Sequence, residues 1–377
     1  MEHTERMGRD PILKLMLSFA LPAMTGILAH ALYNIVDRLF VGHWVGPAAI
    51  AGIIVAFPFM ISISAVGNFI GVGSATLISL ALGAGRRGRA ERFLGFAMLM
   101  LLGAGVLLSL GGWAFLDPLL WISGASPAIL PYAQEYTGVI VWGAFFSLTA
   151  LTCNNLIRSE GAPRFAMMTL VFGALANVVL DTLFIVVWGM GVRGAALATV
   201  LSQVLSALWA VSYYFRGRST LRMRLSKLRP RWSLLRRVAA VGIPPFLMEI
   251  SFTVLMSVFN HMAGSYGGDM ALASVGIFFS IDALLFLPAL GVSEGVQPLV
   301  GYNYGAGHYR RTITTAHLGT ALCTGLFLLS AILVQIFPEA MVTAFTKGDD
   351  TLLAMTARAM RLGYVGLPCA GIYMVTV

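Results

Sequence analysis

Ionisable side chains inside long apolar segments are the part of this sequence that could do chemistry. Asp37 lies in one such segment, and Asn177 and Asp181 lie four residues apart in another. Residues four apart share one face of a helix, so this amide and this carboxylate point the same way. Two carboxylates and an amide in apolar surroundings predict a site that binds a small cation or carries a proton.

More polar residues lie near Asp37 in the same segment. His30, Tyr33 and Asn34 precede it at spacings that place them on adjoining strips of one helix surface. Pro22, earlier in the segment, removes a backbone hydrogen bond and predicts a bend. We expect His30, Tyr33 and Asn34 to line a substrate cavity beside the carboxylate.

Three carboxylates in later apolar segments are further candidates. Glu249 follows Pro244-Pro245 and belongs either to a second site in the substrate cavity or to the local cap of a broken helix. Asp282 and Glu294 are weaker candidates for a functional role.

Structural explanations for the first group stay open at this point. Asp37 could pair with Arg38 or end in the outer headgroup region. Asn177 could serve only to bridge helices by a hydrogen bond, as polar residues in membranes often do. His30 is more often a packed side chain than a proton relay.

The composition shows that a membrane surrounds these residues. Apolar residues make up 58% of the 377, charged residues make up 11%, and the mean hydropathy is +0.84. A soluble domain carries about 25% charged residues, so this chain could not keep a soluble surface wet. Segments of about 20 mostly apolar residues predict ten membrane helices, at approximately 15–41, 48–82, 92–116, 130–156, 165–188, 195–215, 236–262, 271–303, 312–337 and 352–377.

Several classes of protein do not fit the sequence. Cys153, Cys323 and Cys369 have neither metal-binding nor redox spacing. The chain has no phosphate-binding loop, nucleophile elbow or His-Glu-x-x-His motif, so we expect no enzyme, no cofactor and no metal centre. Without an ATP-binding module, any pumping must draw on an ion gradient.

The positions of the basic residues predict the orientation. Of 25 Lys and Arg, 20 fall in loops on one side of the membrane, and nine of these lie between Arg216 and Arg237. Only Arg193 and Lys347 fall in loops on the other side. The positive-inside rule therefore places the N-terminus and the linker 216–235 in the cytoplasm, with the protein in the inner membrane. Topology and anionic membrane lipids explain the net charge of +9 better than nucleic acid does.

The chain repeats itself at an offset of 222 residues. This shift aligns four features, namely Leu21-Pro22 with Ile243-Pro244, Gly46 with Gly268, Gly73 with Gly295, and Gly83-Ala84-Gly85 with Gly305-Ala306-Gly307. The first unit has six spans, an even number, so the units are parallel repeats related by a pseudo-two-fold axis along the membrane normal. We therefore expect an all-α polytopic membrane protein of two six-helix bundles. These are an N-lobe (1–215, spans 1–6), the cytoplasmic linker (216–235) and a C-lobe (236–377, spans 7–10) that lacks two helices.

Motifs along nearly the whole chain resemble those of the multidrug and toxic compound extrusion (MATE) transporters, in particular their MepA-like branch. The matching stretches are Tyr33-Asn34-Ile35-Val36-Asp37, Asn154-Asn155-Leu156-Ile157-Arg158, Gly189-Met190-Gly191-Val192 and Gln297-Pro298 leading to Gly301-Tyr302-Asn303-Tyr304. The resemblance implies two six-helix bundles that export cationic amphiphiles by Na⁺ or H⁺ antiport. It implies an ion site at Asp37, Asn177, Asp181 and Thr199, and adds Asn154 to the substrate cavity. The family's Asp in helix ten has no counterpart in 352–377, which favours the N-lobe over a C-lobe ion site.

The resulting hypothesis is a monomeric secondary transporter that exports organic cations in exchange for Na⁺ or H⁺. Its partners are cationic small molecules and membrane lipids, with a monovalent ion as the only bound metal. A lipid-linked oligosaccharide flippase is an alternative, but only Arg38, Arg358 and Arg361 lie in or at the start of spans, where pyrophosphate would need basic groups. A membrane-embedded enzyme or receptor is an alternative of another class.

Overall fold

The structure, a computed structural model, describes residues 2–222, 231–343 and 350–376, and within these ranges every regular element is a helix. The helices are α1 (Glu2–Arg9), α2 (Ile12–Trp44), α3 (Pro47–Gly83), α4 (Arg87–Ala114), α5 (Leu116–Ile122), α6 (Leu130–Ser159), α7 (Pro163–Asp181), α8 (Gly191–Phe215), α9 (Trp232–Gly305), α10 (Tyr309–Ile336), α11 (Pro338–Thr343), α12 (Asp350–Gly363) and α13 (Leu367–Thr376). Residues 223–230 of the predicted linker, Lys347 and Val377 lie outside the described ranges.

Nine helical segments of the described chain are long and apolar enough to cross a membrane, judged by length and composition. They match the first nine predicted spans. The tenth, predicted as one span over 352–377, is instead divided between α12 and α13 by a 3-10 turn at Tyr364–Gly366. Gly363, Gly366 and Pro368 weaken or interrupt the helix there, so the tenth predicted span is not a single α-helix of membrane length.

Helix α9 contains two of the nine spans. Gly268 lies between them with φ 61° and ψ −157°, a conformation that a residue with a side chain rarely adopts. Gly46, its partner in the sequence repeat, also has a positive φ, of 120°, and precedes α3. The two glycines therefore end one span and start the next in each lobe.

Helix boundaries repeat at the same offset as the sequence. Helix α4 covers Arg87–Ala114 and helix α10 covers Tyr309–Ile336, so both ends differ by 222 residues. Gly85 and Gly307, which follow α3 and α9, have φ of 69° and 75°. Equivalent glycines thus form equivalent turns, and the sequence repeat is also a repeat of local structure.

The first residues form a helix that contacts both predicted halves of the chain, 1–215 and 236–376, called the N-lobe and the C-lobe below. In α1, the Thr4 hydroxyl donates a 2.9 Å hydrogen bond to the Glu160 carbonyl, and the Met7 carbonyl accepts a 3.1 Å bond from the Asn303 amide. Met7 is fully buried. The polar composition of this segment did not predict a packed helix. Its burial results from contact with both lobes, which composition does not show.

The lobes touch closely at the end of the molecule that carries the basic loops. A Cβ atom added to Gly242 would lie 2.2 Å from the Phe69 carbonyl oxygen, and one added to Gly305 would lie 2.1 Å from the Leu80 carbonyl oxygen. Such distances leave no room for a methyl group. Glycine therefore lets α9 and α3 pack backbone against backbone at this end.

Towards the opposite end, the surface of α9 is open. Large apolar side chains are exposed on several of its faces; examples are Phe252 (51%), Val254 (57%), Leu255 (48%), Phe259 (48%) and Tyr266 (88%). By contrast, α6 packs inside the N-lobe. The closest backbone contacts between α3 and α9 thus lie at the basic end, and α9 presents an exposed apolar surface towards the other end.

Replacing Gly242 by Ala should destabilise the protein because the new methyl group forces α9 away from α3. We expect a loss of about 1–3 kcal/mol, typical of overpacking, and a lower thermal unfolding temperature in detergent. Gly276→Ala, on the same helix, is the matched control, because a Cβ atom added to Gly276 meets nothing within 4 Å. An equal loss in both variants would show that the interlobe contact is not the cause.

Candidate functional site

Asp37 and Asp181 come together in the N-lobe. Helix α2 packs along α7, and Asp37 and Asp181 lie on the facing sides, 5% and 0% exposed. Their carboxyl groups are close enough for one to hydrogen-bond the other when one is protonated. The predicted pair therefore shares one buried space.

Several polar atoms in this space have no hydrogen-bond partner within the described chain. They are one Asp37 oxygen, both Asp181 oxygens, and the oxygen and nitrogen of the Asn177 amide. Asn177 is fully buried one helical turn before Asp181. Unpartnered buried polar atoms cost free energy, so these oxygens fit a site that takes up a monovalent cation or a proton.

The helix geometry changes at Asp181. Helix α7 ends at this residue and continues as a π-helical turn over Thr182–Val187. π-helical turns are rare and are found frequently at functional sites. The wider turn positions the carboxylate at the point where α-helical hydrogen bonding stops, a feature that apolar periodicity could not reveal.

Hydroxyl groups complete the surroundings of the carboxylates. Thr199 on α8 is 2% exposed, and its hydroxyl is within hydrogen-bonding reach of the buried Tyr136 hydroxyl on α6. Tyr136 and the half-buried Tyr33 both lie close to Asp37 and Asp181. Tyr136 was missed by the sequence reasoning, because an aromatic residue in a membrane helix is not distinguished from core by its type.

The remaining predicted residues of α2 lie on the side of the interlobe space. His30 is exposed yet surrounded by protein, and its ring packs edge-on against Tyr33 with centroids 4.9 Å apart. The Asn34 amide donates a 2.8 Å bond to the His30 carbonyl of its own helix. Pro22 lies inside α2 without ending it.

Contacts bear on the proposed pairing of Asp37 with Arg38 and on the place of Asn154 in the substrate cavity. Arg38 lies 5.5 Å from the centre of the Phe57 ring, and in the described chain it forms no ion pair with Asp37. Asn154 is 4% exposed, and its amide donates a 2.6 Å bond to the Ala166 carbonyl. That bond braces α6 against α7, so packing accounts for Asn154 and we leave it out of the proposed cavity.

Glu249 faces the N-lobe across the interlobe space. It accepts a 2.9 Å hydrogen bond from the Asn68 amide of α3, while its second carboxylate oxygen is buried without a partner. A cap of the broken helix would bond to backbone amides of α9, so this contact argues against the capping alternative. Asp282, in the C-lobe, accepts a 2.9 Å bond from the Tyr364 hydroxyl.

A polar cluster joins the lobes at the basic end. Arg158, on α6, forms an ion pair with Glu294, on α9, and also bonds to Asn155. The Gln297 amide donates a 3.1 Å bond to the Thr76 hydroxyl of α3. The cavity left among these residues is about 10 Å³, at the limit of what one water molecule needs. The cluster closes this end of the interlobe space.

Glu160, just after α6, holds the first residues of the linker. Its carboxylate accepts bonds from the Ser219 hydroxyl (2.7 Å) and from the Thr220 amide (2.9 Å) and hydroxyl (3.0 Å). Burial raises the pKa of Glu160 to about 7, although these bonds oppose the shift. The neutral form is thus favoured in the buried position.

The buried position of Glu160 against the first linker residues should become less favourable as the pH rises through 7, because the carboxyl group then carries a charge that burial disfavours. The pKa of Glu160 in the folded protein lies above the ordinary value of about 4.3. The contribution of the protonated Glu160 to folding stability is therefore complete below that value and is lost above pH 7. Amide hydrogen exchange at Thr220, corrected for the intrinsic rate, should therefore be faster at pH 8 than at pH 6. Glu160→Gln should remove this difference; if it persisted, another group would be responsible.

The chain is similar to known transport proteins in both sequence and structure. The family described as MatE matches residues 22–183 and 244–376. The multidrug export protein MepA of Staphylococcus aureus strain MSSA476 is 28% identical over 376 residues, which are 98% of this chain and 82% of MepA. A crystal structure of MATE in complex with MaD3S has a TM-score of 0.92 and 27% identity, with 100% of this chain and 83% of that chain covered. An outward-facing MATE family transporter of the MOP superfamily has a TM-score of 0.89 and 26% identity, with coverages of 100% and 85%.

Members of this family are multi-pass membrane transporters, not enzymes. The matched residues include Asp37, Asn177 and Asp181 in the first range and Glu249 and Glu294 in the second. The match covers most of the chain and, in whole or in part, eight of the nine membrane-length helices, while α8 lies between the two matched ranges. The chain therefore belongs to the MatE family of multidrug efflux transporters.

Proposed function

We propose that the chain exports organic cations by secondary active transport in exchange for Na⁺ or H⁺. The observation that carries the proposal is the buried Asp37–Asp181 pair, in which one Asp37 oxygen and both Asp181 oxygens lack donors within the described chain. Asn177 and Thr199 contribute the remaining polar groups of the ion site. The relative MepA is named a multidrug export protein, which supports small-molecule cargo.

Exchange follows if the ion and the drug favour different arrangements of the lobes. Two adjacent carboxylates without a cation repel each other, so a proton or Na⁺ is bound when the pair is closed in. A ligand shifts an equilibrium only by its difference in affinity for the two states. Binding of the incoming ion would thus oppose the state that holds the drug cation.

The space between the lobes is suited to flat cationic molecules. His30 and Tyr33 line it from the N-lobe, and Glu249 supplies a carboxylate from the C-lobe. Aromatic faces and a carboxylate bind organic cations through cation–π and charge interactions. The few directional groups favour many related cargoes over a single one.

We also propose that the basic end faces the cytoplasm of a cell with the protein in its inner membrane. The loops with most basic residues lie together at this end, as the positive-inside rule requires of one cytoplasmic face. The two lobes act as rigid bundles of one monomer around the site.

Dye efflux from proteoliposomes under separate gradients tests the function. We expect a cationic dye such as ethidium to be transported under at least one of the two gradients, Na⁺ or pH, each imposed separately. No transport is expected when both gradients are collapsed. Transport under only one of them identifies the coupling ion. If neither gradient moves the dye through the full chain, the antiport proposal is wrong.

A further inference from the structure

Five arginines converge on one groove at the basic end of the molecule. Its lining consists of Arg86, Gly88, Arg89, Arg92, Arg231, Ser233, Leu234 and Arg237, and its volume is about 590 Å³. The first four residues come from the N-lobe and the other four from the segment that opens the C-lobe. Among residues that the structure describes, no carboxylate lines this groove.

The carboxylate nearest in sequence points elsewhere. Glu91 is buried, lies 3.8 Å from the Arg87 guanidinium and accepts a bond from the Arg222 amide. Neither Arg87 nor Arg222 lines the groove. The groove therefore keeps an excess of positive charge that its own walls do not neutralise, which costs free energy unless an anion is bound.

Two helix N-termini add to this charge. Helix α4 begins at Arg87 and helix α9 begins at Trp232, and neither has a side-chain cap. Gly88 and Ser233, each in the first turn of its helix, line the groove. The exposed amides of a helix N-terminus favour anions, phosphate in particular.

The groove's position favours a lipid as the source of the anion. It lies at the ends of two membrane-length helices, where the headgroups of the cytoplasmic leaflet are expected. Trp232, 79% exposed, lies beside it, and tryptophan is enriched at this depth of a membrane. Leu234 gives the wall an apolar surface that a soluble ion would not need.

We propose that this groove binds the phosphate headgroup of an anionic phospholipid. The guanidinium groups form charge-assisted hydrogen bonds with the phosphate oxygens. Since the walls come from both lobes, a bound headgroup also stabilises the arrangement in which the lobes meet at this end. The proposal stands apart from the drug and ion sites.

Native mass spectrometry of the full chain in detergent tests the proposal. Wild-type protein should retain phosphatidylglycerol, and the double variant Arg92→Gln/Arg237→Gln should bind it roughly tenfold more weakly. Arg9→Gln/Arg310→Gln is the matched control, because it removes two exposed arginines outside the groove at the same end. The control should bind as wild type does.

Several outcomes would overturn the proposal. Equal loss in both double variants would reduce the effect to net charge. Equal retention of phosphatidylcholine would remove the need for an anionic lipid, and equal protection from thermal unfolding by inorganic phosphate would identify a free anion as the ligand. If the Gln double variant fails to fold, the double variant Arg92→Lys/Arg237→Lys replaces it, because lysine keeps the charge. The Lys variant should bind phosphatidylglycerol measurably less tightly than wild type does, but more tightly than expected for the Gln variant. Binding unchanged from wild type would contradict a guanidinium site.

Discussion

Replacing either Asp37 or Asp181 by Asn should strongly slow gradient-driven drug efflux while leaving drug binding nearly intact. Asparagine has a similar size, but it cannot release a proton or neutralise Na⁺. The described neighbours of the pair are hydroxyls and an amide, which carry no negative charge, so no neighbouring group can replace the lost charge. We expect a fall in the initial rate of gradient-driven transport of roughly 10- to 100-fold, the size of a typical coupling free energy.

Counterflow distinguishes a loss of coupling from a loss of folding. With drug on both sides of a proteoliposome and no ion gradient, the variants should still exchange labelled for unlabelled drug. Asp117→Asn is the control, since Asp117 in the short helix α5 is exposed and accepts a bond from Gln134; it should transport normally. Near-normal gradient-driven transport by both Asp37→Asn and Asp181→Asn would refute the proposed ion site.

Much of this fold could be predicted because a membrane restricts the structures available. Backbone groups in lipid must bond within their own helix, so length and hydropathy alone placed nine spans. The repeat at 222 residues further predicted where glycine turns recur, and Gly85 and Gly307 show it. The division of the last segment into α12 and α13 was not predicted, because hydropathy does not register how Gly363, Gly366 and Pro368 divide a helix.

The site was predictable only where its residues share a helix. The spacing of Asn177 and Asp181 fixes their common face, and the high cost of a carboxylate in lipid singles them out. The approach of Asp37 to Asp181 depends on how α2 packs on α7, for which the motifs provided a family resemblance but no distance. Tyr136, Asn68 and the Arg158–Glu294 pair join separate helices, and one sequence carries no signal for such pairings.

The glycine contacts and the polar cluster at the basic end suggest that closure there depends on small residues and on one ion pair. Gly242 and Gly305 allow the helices to approach, but van der Waals contact has no preferred partner. The pair between Arg158 and Glu294 is directional, and Arg158 is 6% exposed at its side chain while Glu294 is 31% exposed. Such a pair can bias the closed arrangement without preventing opening.

Arg158→Ala should therefore shift the lobes towards an arrangement that is open at the basic end. Removing one member of a largely buried pair leaves the other charge without its partner, which is strongly destabilising; the partial exposure of Glu294 reduces the effect. We expect the ratio of closed to open protein to fall roughly tenfold. Pulsed electron spin resonance between labels at Arg164 and Tyr309, exposed positions in different lobes, measures that ratio.

The exchanged pair Arg158→Glu/Glu294→Arg separates a gate from a packing defect. If attraction between the lobes is what matters, the exchange should restore part of the short-distance population, whereas Arg158→Glu alone should reduce it further by repulsion from Glu294. Arg164→Ala, which removes an exposed arginine in the first turn of α7 and outside the cluster, should leave distances between other label pairs unchanged. Identical distance distributions in wild type, Arg158→Ala and the exchanged pair would show that the closed end is held by helix packing alone, since a charge that controls opening cannot be removed or reversed without moving the equilibrium.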